Sequence, residues 1–254
     1  MPCTVATAYD PFAYAYNRCW GAISLRWLSV ISLLLAPRIP HDARVLDLCC
    51  GTGQLSAELS RRGFRMVGVD GSRAMLSHAR TNAPGVPFVQ ADARMPGFRQ
   101  HFDAIVCTFD SLNHLLSAED LATAFCSAHA CLRPGGSLLF DVNTALSYAL
   151  HWNGEDEMTT DDCRIHTWSH YDVDERVGTF KVSTEWLETE APTAEAILWQ
   201  RCHSHEEIRE ALTRAGFRGI ETFWVDDGAL VSGSLEGAER VFYLCRSPTP
   251  GKRR

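Results

Sequence analysis

Several residues in this chain have types and spacings that could do chemistry together. In Asp47-Leu-Cys-Cys-Gly51-Thr52-Gly53 the two glycines permit positive φ and let a ligand approach the backbone closely. The same turn would also serve a bare strand-to-helix connection, so it gains meaning only from its neighbours. Asp70 follows 19 positions after Gly51, ending the β-rich run Arg65–Asp70, where a carboxylate can accept hydrogen bonds from both hydroxyls of a ribose. Asp47 is read as pointing a second negative charge into the same site. His114 is the best candidate for a general base, because an unperturbed imidazole titrates near neutrality. Asp110 is the second choice, and either residue could instead cap a loop. Cys163, His166 and His170 form a Cys-x₂-His-x₃-His string, with His203 and His205 further on. They lack a fourth ligand at convincing spacing, and on a strand Cys163 and His166 face opposite sides, so no metal site is expected.

These groups need a scaffold, and the chain supplies an alternation of strands and helices. Arg44–Cys49, Arg65–Asp70, Val86–Gln90, Asp103–Phe109 and Ser137–Asp141 read as strands. Helices are expected at Gln54–Arg62, from the N-cap Ser72 to about Thr81, and at Ala118–Leu132, which closes at Pro134-Gly135-Gly136. This order implies βαβ units, a mostly parallel sheet and helices on both faces. After Asn143 the pattern changes. Residues 144–200 carry five tryptophans or tyrosines of note (Trp152, Trp168, Tyr171, Trp186, Trp199), an acidic loop around Glu155-Asp156-Glu157, and strands at His166–Asp172 and Val177–Leu187. This stretch reads as an antiparallel insertion, whose aromatics would be core or line an acceptor site and whose acidic loop, running on to Asp161-Asp162, would be solvated. A helix with a capping box at Ser204 and Glu207 follows, then strands at Phe217–Val225 and Arg240–Arg246.

The charges narrow the ligand. A pyrophosphate would be repelled by Asp47, and Ser56 replaces the third glycine of the dinucleotide fingerprint. A zwitterion such as a methionine moiety, with an ammonium group to be satisfied, fits better, so the pattern favours S-adenosylmethionine over NAD. Val45–Ser56, Val67–Leu76, Gln90-Ala91-Asp92-Ala93, Phe102–Val106 and Leu132–Gly136 together resemble the class I S-adenosylmethionine-dependent methyltransferases, over roughly residues 44–142. The resemblance implies an α/β, Rossmann-like sheet of seven strands, mostly parallel with the last antiparallel, carrying an antiparallel β insertion after strand 5. It places Asp92 on the adenine amino group with Ala93 beside the ring.

Two further stretches extend the likeness. Tyr9-Asp10-Pro-Phe12-Ala13-Tyr14-Ala-Tyr16-Asn17 is similar to the opening of bacterial small-molecule methyltransferases, with Asn17 where Asp is usual. There the opening helix lies over the cofactor, and the residue matching Tyr9 borders its methionine end. Cys107–Leu115 resembles the segment after the fourth strand in nucleotide-sugar N-methyltransferases, where a histidine matching His114 has been proposed as the base. By this resemblance the cofactor contacts are Tyr9, Tyr16, Asp47, Cys49, Gly51, Thr52, Gly53, Asp70, Gly71, Met75, Asp92, Ala93, Phe109 and Asp110, with His114 and Tyr9 at the reacting end.

Composition bounds the alternatives. Of 254 residues, 46% are hydrophobic and 22% charged, the balance of a soluble globular protein. A net charge of −7 argues against nucleic acid and anionic lipid as partners. The ten cysteines form no CxxC pair and read as buried reduced thiols. The N-terminus lacks a signal-peptide pattern. Ala22–Ala36 falls short of the ~20 apolar residues that span a bilayer, and with Arg26, Ser29 and Ser32 on one face it reads as an amphipathic helix packed on the domain. The expectation is a cytoplasmic methyltransferase, monomer or homodimer, that converts S-adenosylmethionine to S-adenosylhomocysteine on an N or O atom of a small molecule. Residues 1–143 and 201–247 would form the cofactor domain with cap helices at 8–36, residues 144–200 a substrate or lid subdomain, and 248–254 a disordered tail. A macromolecular acceptor (RNA or protein) and a non-catalytic cofactor-binding role are the rivals. The net charge and the lack of an Asn/Asp-Pro-Pro-Tyr-type motif after the fourth strand count against the first.

Overall fold

Apolar residues alternating between two packed faces set the main sheet. A computed structural model describes residues 5–189 and 191–249, so most of the expected tail lies outside the described residues. The first five strands are β1 (Arg44–Leu48), β2 (Arg65–Asp70), β3 (Phe88–Gln90), β4 (Phe102–Cys107) and β5 (Leu132–Asn143). Leu46, Leu48, Ile105, Leu138 and Phe140 face one layer, where Leu121, Phe125, Ile208 and Leu212 of helices Ala118–Cys131 and His205–Arg214 cover them. Val45, Ala104, Val106 and Leu139 face the other, under Leu55 and Leu59 of helix Gln54–Arg61 and the N-terminal helical segment. Burial on both faces is why these strands read as nearly continuous apolar runs.

The remaining strands are β6 (Gly154–Thr159), β7 (Cys163–Asp172), β8 (Val177–Trp186), β9 (Ala194–Arg201), β10 (Arg218–Asp226), β11 (Ala229–Ser232) and β12 (Arg240–Arg246). The main sheet has the order β11-β10-β12-β5-β4-β1-β2-β3. β1 to β5 pair in parallel, and β12 runs antiparallel to both β5 and β10. The sheet thus has eight strands where seven are expected. The addition is β11, folded back by Asp227-Gly228, whose φ values of 44° and 78° supply the paired positive φ of a tight hairpin. β5 starts earlier than expected, with Pro134–Gly136 looping out between the pairs Phe102↔Leu132 and Ala104↔Ser137.

β6 to β9 form a separate antiparallel sheet of four strands, preceded by helix Ala145–His151 on its N-cap Thr144, an element absent from the sequence reading. The acidic run Glu155–Glu157 belongs to edge strand β6 rather than to a loop, and its exposed charges blunt that edge against further pairing. The inner face of this sheet (Cys163, Ile165, Val182, Ala196, Leu198) packs on Phe12 and Ala15. The N-terminal segment is one helical run from Ala13 to Arg38, long and apolar enough by length and composition to cross a membrane. Its Val30, Ile31, Leu34 and Leu35 are spent on the sheet core, while Arg26 and Ser29 are exposed. A π turn at Tyr16–Trp20 interrupts it where Tyr16 and Trp20 reach the cavity described below.

Gly53 N-caps helix Gln54–Arg61 at φ 82°, and a Cβ there would lie 3.0 Å from Cα and Cβ of Ala79. Gly53→Ala is therefore expected to destabilise the fold by about 1–2 kcal/mol from backbone strain alone, with crowding added. Thermal denaturation checks this; an unchanged midpoint would mean that the loop relaxes freely.

Candidate active site

The C-terminal ends of β1, β2 and β4 open on one cavity of about 550 Å³, roofed by the N-terminal segment and the inserted sheet. At the top of β1, Cys49 adopts φ 62° and Gly51 φ 54°. Asp70, ending β2, closes this turn: its Oδ2 accepts from Gly51 N at 2.9 Å and its Oδ1 from Ser72 N at 2.8 Å. Burial raises the Asp70 pKa, and these backbone donors pull it back toward the ionised form. A Cβ on Gly51 would stand 3.5 Å from the Tyr16 ring, inside the cavity, so only glycine leaves that space free.

At the top of β4, Phe109 and Asp110 both take left-handed φ, 66° and 52°. For a bulky residue such as phenylalanine this is a strained conformation that the surroundings must impose. Asp141, fully buried on β5, imposes it by accepting from Phe109 N at 2.7 Å and Asp110 N at 3.1 Å. Arg240 on β12 bridges Asp141 and Asp110, the latter at 2.8 Å. The turn Ser111–His114 then presents His114 to the cavity.

The protonation of His114 follows from its partners. Nδ1 lies 2.8 Å from the Trp199 carbonyl, which can only accept, so Nδ1 carries the hydrogen. Nε2 is then the lone-pair nitrogen, and the Tyr9 hydroxyl donates to it at 2.8 Å. Gln200 Nε2 donates to the same atom at 3.1 Å and to Asp110 Oδ2 at 2.5 Å. The orientation of the Gln200 amide is fixed by its Oε1, which accepts from Tyr148 at 2.7 Å and Asn143 at 3.3 Å. Burial lowers the His114 pKa, with Asp110 opposing, and burial raises that of Tyr9, so this pair is a neutral imidazole and a protonated phenol.

Tyr9 is held by its neighbours in sequence. Asp10 Oδ1 accepts from Ser72 Oγ at 2.5 Å and Ala74 N at 3.2 Å, binding the segment to the start of helix Arg73–Asn82. Asn17 Oδ1 accepts from Gln54 at 2.9 Å and Asn82 at 2.8 Å, a role that an uncharged amide fills as well as a carboxylate.

Tyr9, Tyr16, Cys49, Gly51, Asp70, Gly71, Met75, Asp92, Ala93, Phe109, Asp110 and His114 all line the cavity. Asp47, Thr52 and Gly53 do not. Asp47 shares a strand face with Val45, which turns toward helix Gln54–Arg61, so its carboxylate is buried against Ser56 Oγ at 2.5 Å and burial pushes its pKa up to about 7. It braces the glycine turn from behind. Asp92 is paired with Arg94 at 2.7 Å, and Arg94 also holds Asp120 at 2.6 Å. The sequence gives no sign of Arg240, Gln200, Asn143 and Asp141 here, nor of Phe12, Trp20 and Phe180 as a cavity wall; Trp152, one of the insertion aromatics expected in the core or at an acceptor site, lines the cavity beside them. Among the described residues no three His, Cys, Asp or Glu side chains are placed to hold a metal ion.

This donor set fits S-adenosylmethionine. Asp70 offers acceptors beside a glycine that leaves room for a ligand, and Asp110 with the Tyr16 and Phe109 rings offers an environment for positive charge.

Comparison with known proteins agrees. Residues 45–136 match the family model described as a methyltransferase domain. YqeM of Bacillus subtilis, a protein named as a methyltransferase, is 37% identical over 146 residues, covering 56% of this chain and 58% of its own. The dTDP-3-amino-3,4,6-trideoxy-alpha-D-glucopyranose N,N-dimethyltransferase of Streptomyces venezuelae is 30% identical over 136 residues, covering 54% of this chain and 56% of its own. The chain thus matches little more than half the length of either relative. An S-adenosylmethionine-dependent methyltransferase from Clostridium acetobutylicum superposes over 94% of this chain and 99% of its own, with TM-score 0.76 and 23% identity, a likeness of fold. With its glycine turn, its Asp70 and the match over residues 45–136, the chain carries a methyltransferase domain of the S-adenosylmethionine-dependent kind.

Proposed function

We propose that the protein transfers the methyl group of S-adenosylmethionine to a nitrogen or oxygen atom of a small-molecule acceptor, in the cytoplasm, as a monomer or homodimer. The observation that carries this reading is that the Gly51–Asp70 corner and the Tyr9–His114 pair line a single cavity. Its roof argues for a small acceptor, because the inserted sheet and the N-terminal segment cover the space beside the cofactor corner. One relative is named for methylating an amino sugar, which supports the same class. In this reading residues 1–143 and 201–247 hold the cofactor, and residues 144–200 furnish the acceptor wall.

Bound S-adenosylmethionine brings a methyl group already activated on a sulfonium, so the chain's task is alignment, exclusion of water and disposal of one proton. Asp70 accepts from the ribose hydroxyls, and Asp92 from the adenine amino group with Ala93 beside the ring. Gly51, Gly71, Cys49 and Met75 form the surrounding walls. Tyr16, Phe109 and Asp110 face the methionine end. The proton leaving the acceptor passes to His114 Nε2 directly or through the Tyr9 hydroxyl, which already donates to that nitrogen. Asp47, Thr52 and Gly53 shape the turn without touching the ligand.

Calorimetry on protein freed of copurified ligand tests the core of this. S-adenosylmethionine is expected to bind at one site, and absence of binding would refute the function. Asp70→Ala is expected to cost about 1.5–3 kcal/mol, the worth of hydrogen bonds to a charged group, or roughly 10- to 100-fold in Kd. Unchanged affinity would place the ribose elsewhere.

A further inference from the structure

We infer that the acceptor is a cationic amine carrying an aromatic or similarly apolar body, free of phosphate; this rests on the methyl-transfer reading above and narrows it. The inference comes from the charges and rings that line the cavity. Five carboxylates line it, Asp70, Asp92, Asp110, Asp120 and Asp156, against two guanidiniums, Arg94 and Arg240. Neither guanidinium is free. Arg94 is held between Asp92 and Asp120, and Arg240 between Asp110 and Asp141. His151, the remaining basic group at the wall besides His114, is paired with Glu239 at 2.7 Å. A diphosphate would have to be desolvated among carboxylates with no spare donor cation, an arrangement that repels anions.

The acceptor end has the opposite preference. Tyr9, Phe12, Trp20, Phe180 and Trp152 form an unbroken run of rings, each centroid 5.1–6.5 Å from the next. All five line the cavity. Phe12 and Trp20 come from the N-terminal segment, Phe180 from β8 and Trp152 from the end of helix Ala145–His151, so the wall exists only because the roof closes over it. Ring faces attract an ammonium group and bury an aryl or alkyl body. Asp156 adds an exposed carboxylate at this end that takes no part in the ion pairs of its neighbour Glu157. His114, held as an acceptor through Nε2, meets the need of an ammonium group to lose a proton before its nitrogen can react.

The test is equilibrium binding to the full chain, read by tryptophan fluorescence because Trp20 and Trp152 line the wall, with and without S-adenosylhomocysteine. The probes are 2-phenylethylamine, 3-phenylpropionate and UDP-glucosamine. The amine is expected to bind roughly 10-fold or more tightly than the carboxylate, and UDP-glucosamine more weakly than the amine. Phe180→Ala is expected to weaken the amine several-fold. Equal or tighter binding of the carboxylate or the nucleotide sugar overturns the inference, as does absence of saturable amine binding. S-adenosylhomocysteine is titrated separately by calorimetry, so loss of the cofactor reading is seen apart from loss of the amine preference.

Discussion

Replacing His114 by alanine is expected to lower kcat by roughly 10²–10⁴-fold, the contribution of a general base, with S-adenosylmethionine affinity preserved. The assay is release of S-adenosylhomocysteine with the fastest acceptor in a panel of amines and phenols. Size of effect alone would not separate a base from a structural residue, since His114 is buried and bonded to Tyr9, Gln200 and Trp199. The pH profile does. Burial holds the folded His114 pKa below the ordinary value of 6.5, so kcat/KM should be flat above that pH until the acceptor itself titrates, and fall as the pH drops through the lower, folded pKa. His114→Ala should lose this limb. Stability moves in the same direction for a linked reason: the unfolded imidazole binds its proton first, so stability is full above about 6.5 and declines below it. Following the His114 imidazole signal by NMR without any acceptor separates the two effects. A wild-type rate in His114→Ala would pass the role to Asp110 or show that the acceptor arrives without a proton to lose.

The pieces of this site differ in how far the sequence exposed them. The strand-turn-helix around Gly51, the acid ending β2 and the order of elements to Asn143 were legible, because each depends on contacts within about one βαβ unit and leaves a local pattern. The spacing of Asp47 points it into the site, but its strand face turns it away. Position 47 alternates with Leu46 and Leu48 and so sides with Val45, away from the cavity. The hairpin to β11 does have a local signal, the Asp227-Gly228 turn. Arg240 and Gln200 left no local trace. Arg240 meets Asp141 across 99 positions and Asp110 across 130, and Gln200 meets His114 across 86. A lone arginine in a closing strand gives no reason to expect two carboxylates; only the pairing of β12 with β5 supplies it. The acidic run at 155–157 gives no strand signal, because alternation cannot be seen in an edge strand whose residues are nearly all charged or polar.

The pairing of β12 with β5 makes the loss of Arg240 costly to the fold. Arg240→Ala is expected to destabilise the protein by about 3–5 kcal/mol, because it leaves the fully buried Asp141 and the half-buried Asp110 without their cation. At about 2–4 °C per kcal/mol for a chain of this size, the thermal midpoint should fall by roughly 6–20 °C. The loss should depend on pH in a way that missing packing would not. Burial already raises the Asp141 pKa against the pull of Arg240, and loss of the guanidinium raises it further, so the folded state holds a proton that the unfolded state has released. Stability of Arg240→Ala should therefore recover as the pH is lowered from 8 toward 5, the opposite of the trend expected from His114. Neutralising the buried partner should also help: Arg240→Met combined with Asp141→Asn is expected to regain stability, because a well-packed neutral pair avoids the cost of a lone buried charge. Its turnover should stay low. Asp141 holds Phe109 and Asp110 in their left-handed conformations through two backbone N–H bonds, and an amide oxygen can replace only part of that anchor. If the double variant recovered both stability and rate, Arg240 and Asp141 would be confined to stability, and the geometry of the β4 turn would have to be set by its remaining bonds, from Gln200 to Asp110, from Asn113 N to the Asp110 carbonyl and from Ser111 to the Thr108 carbonyl.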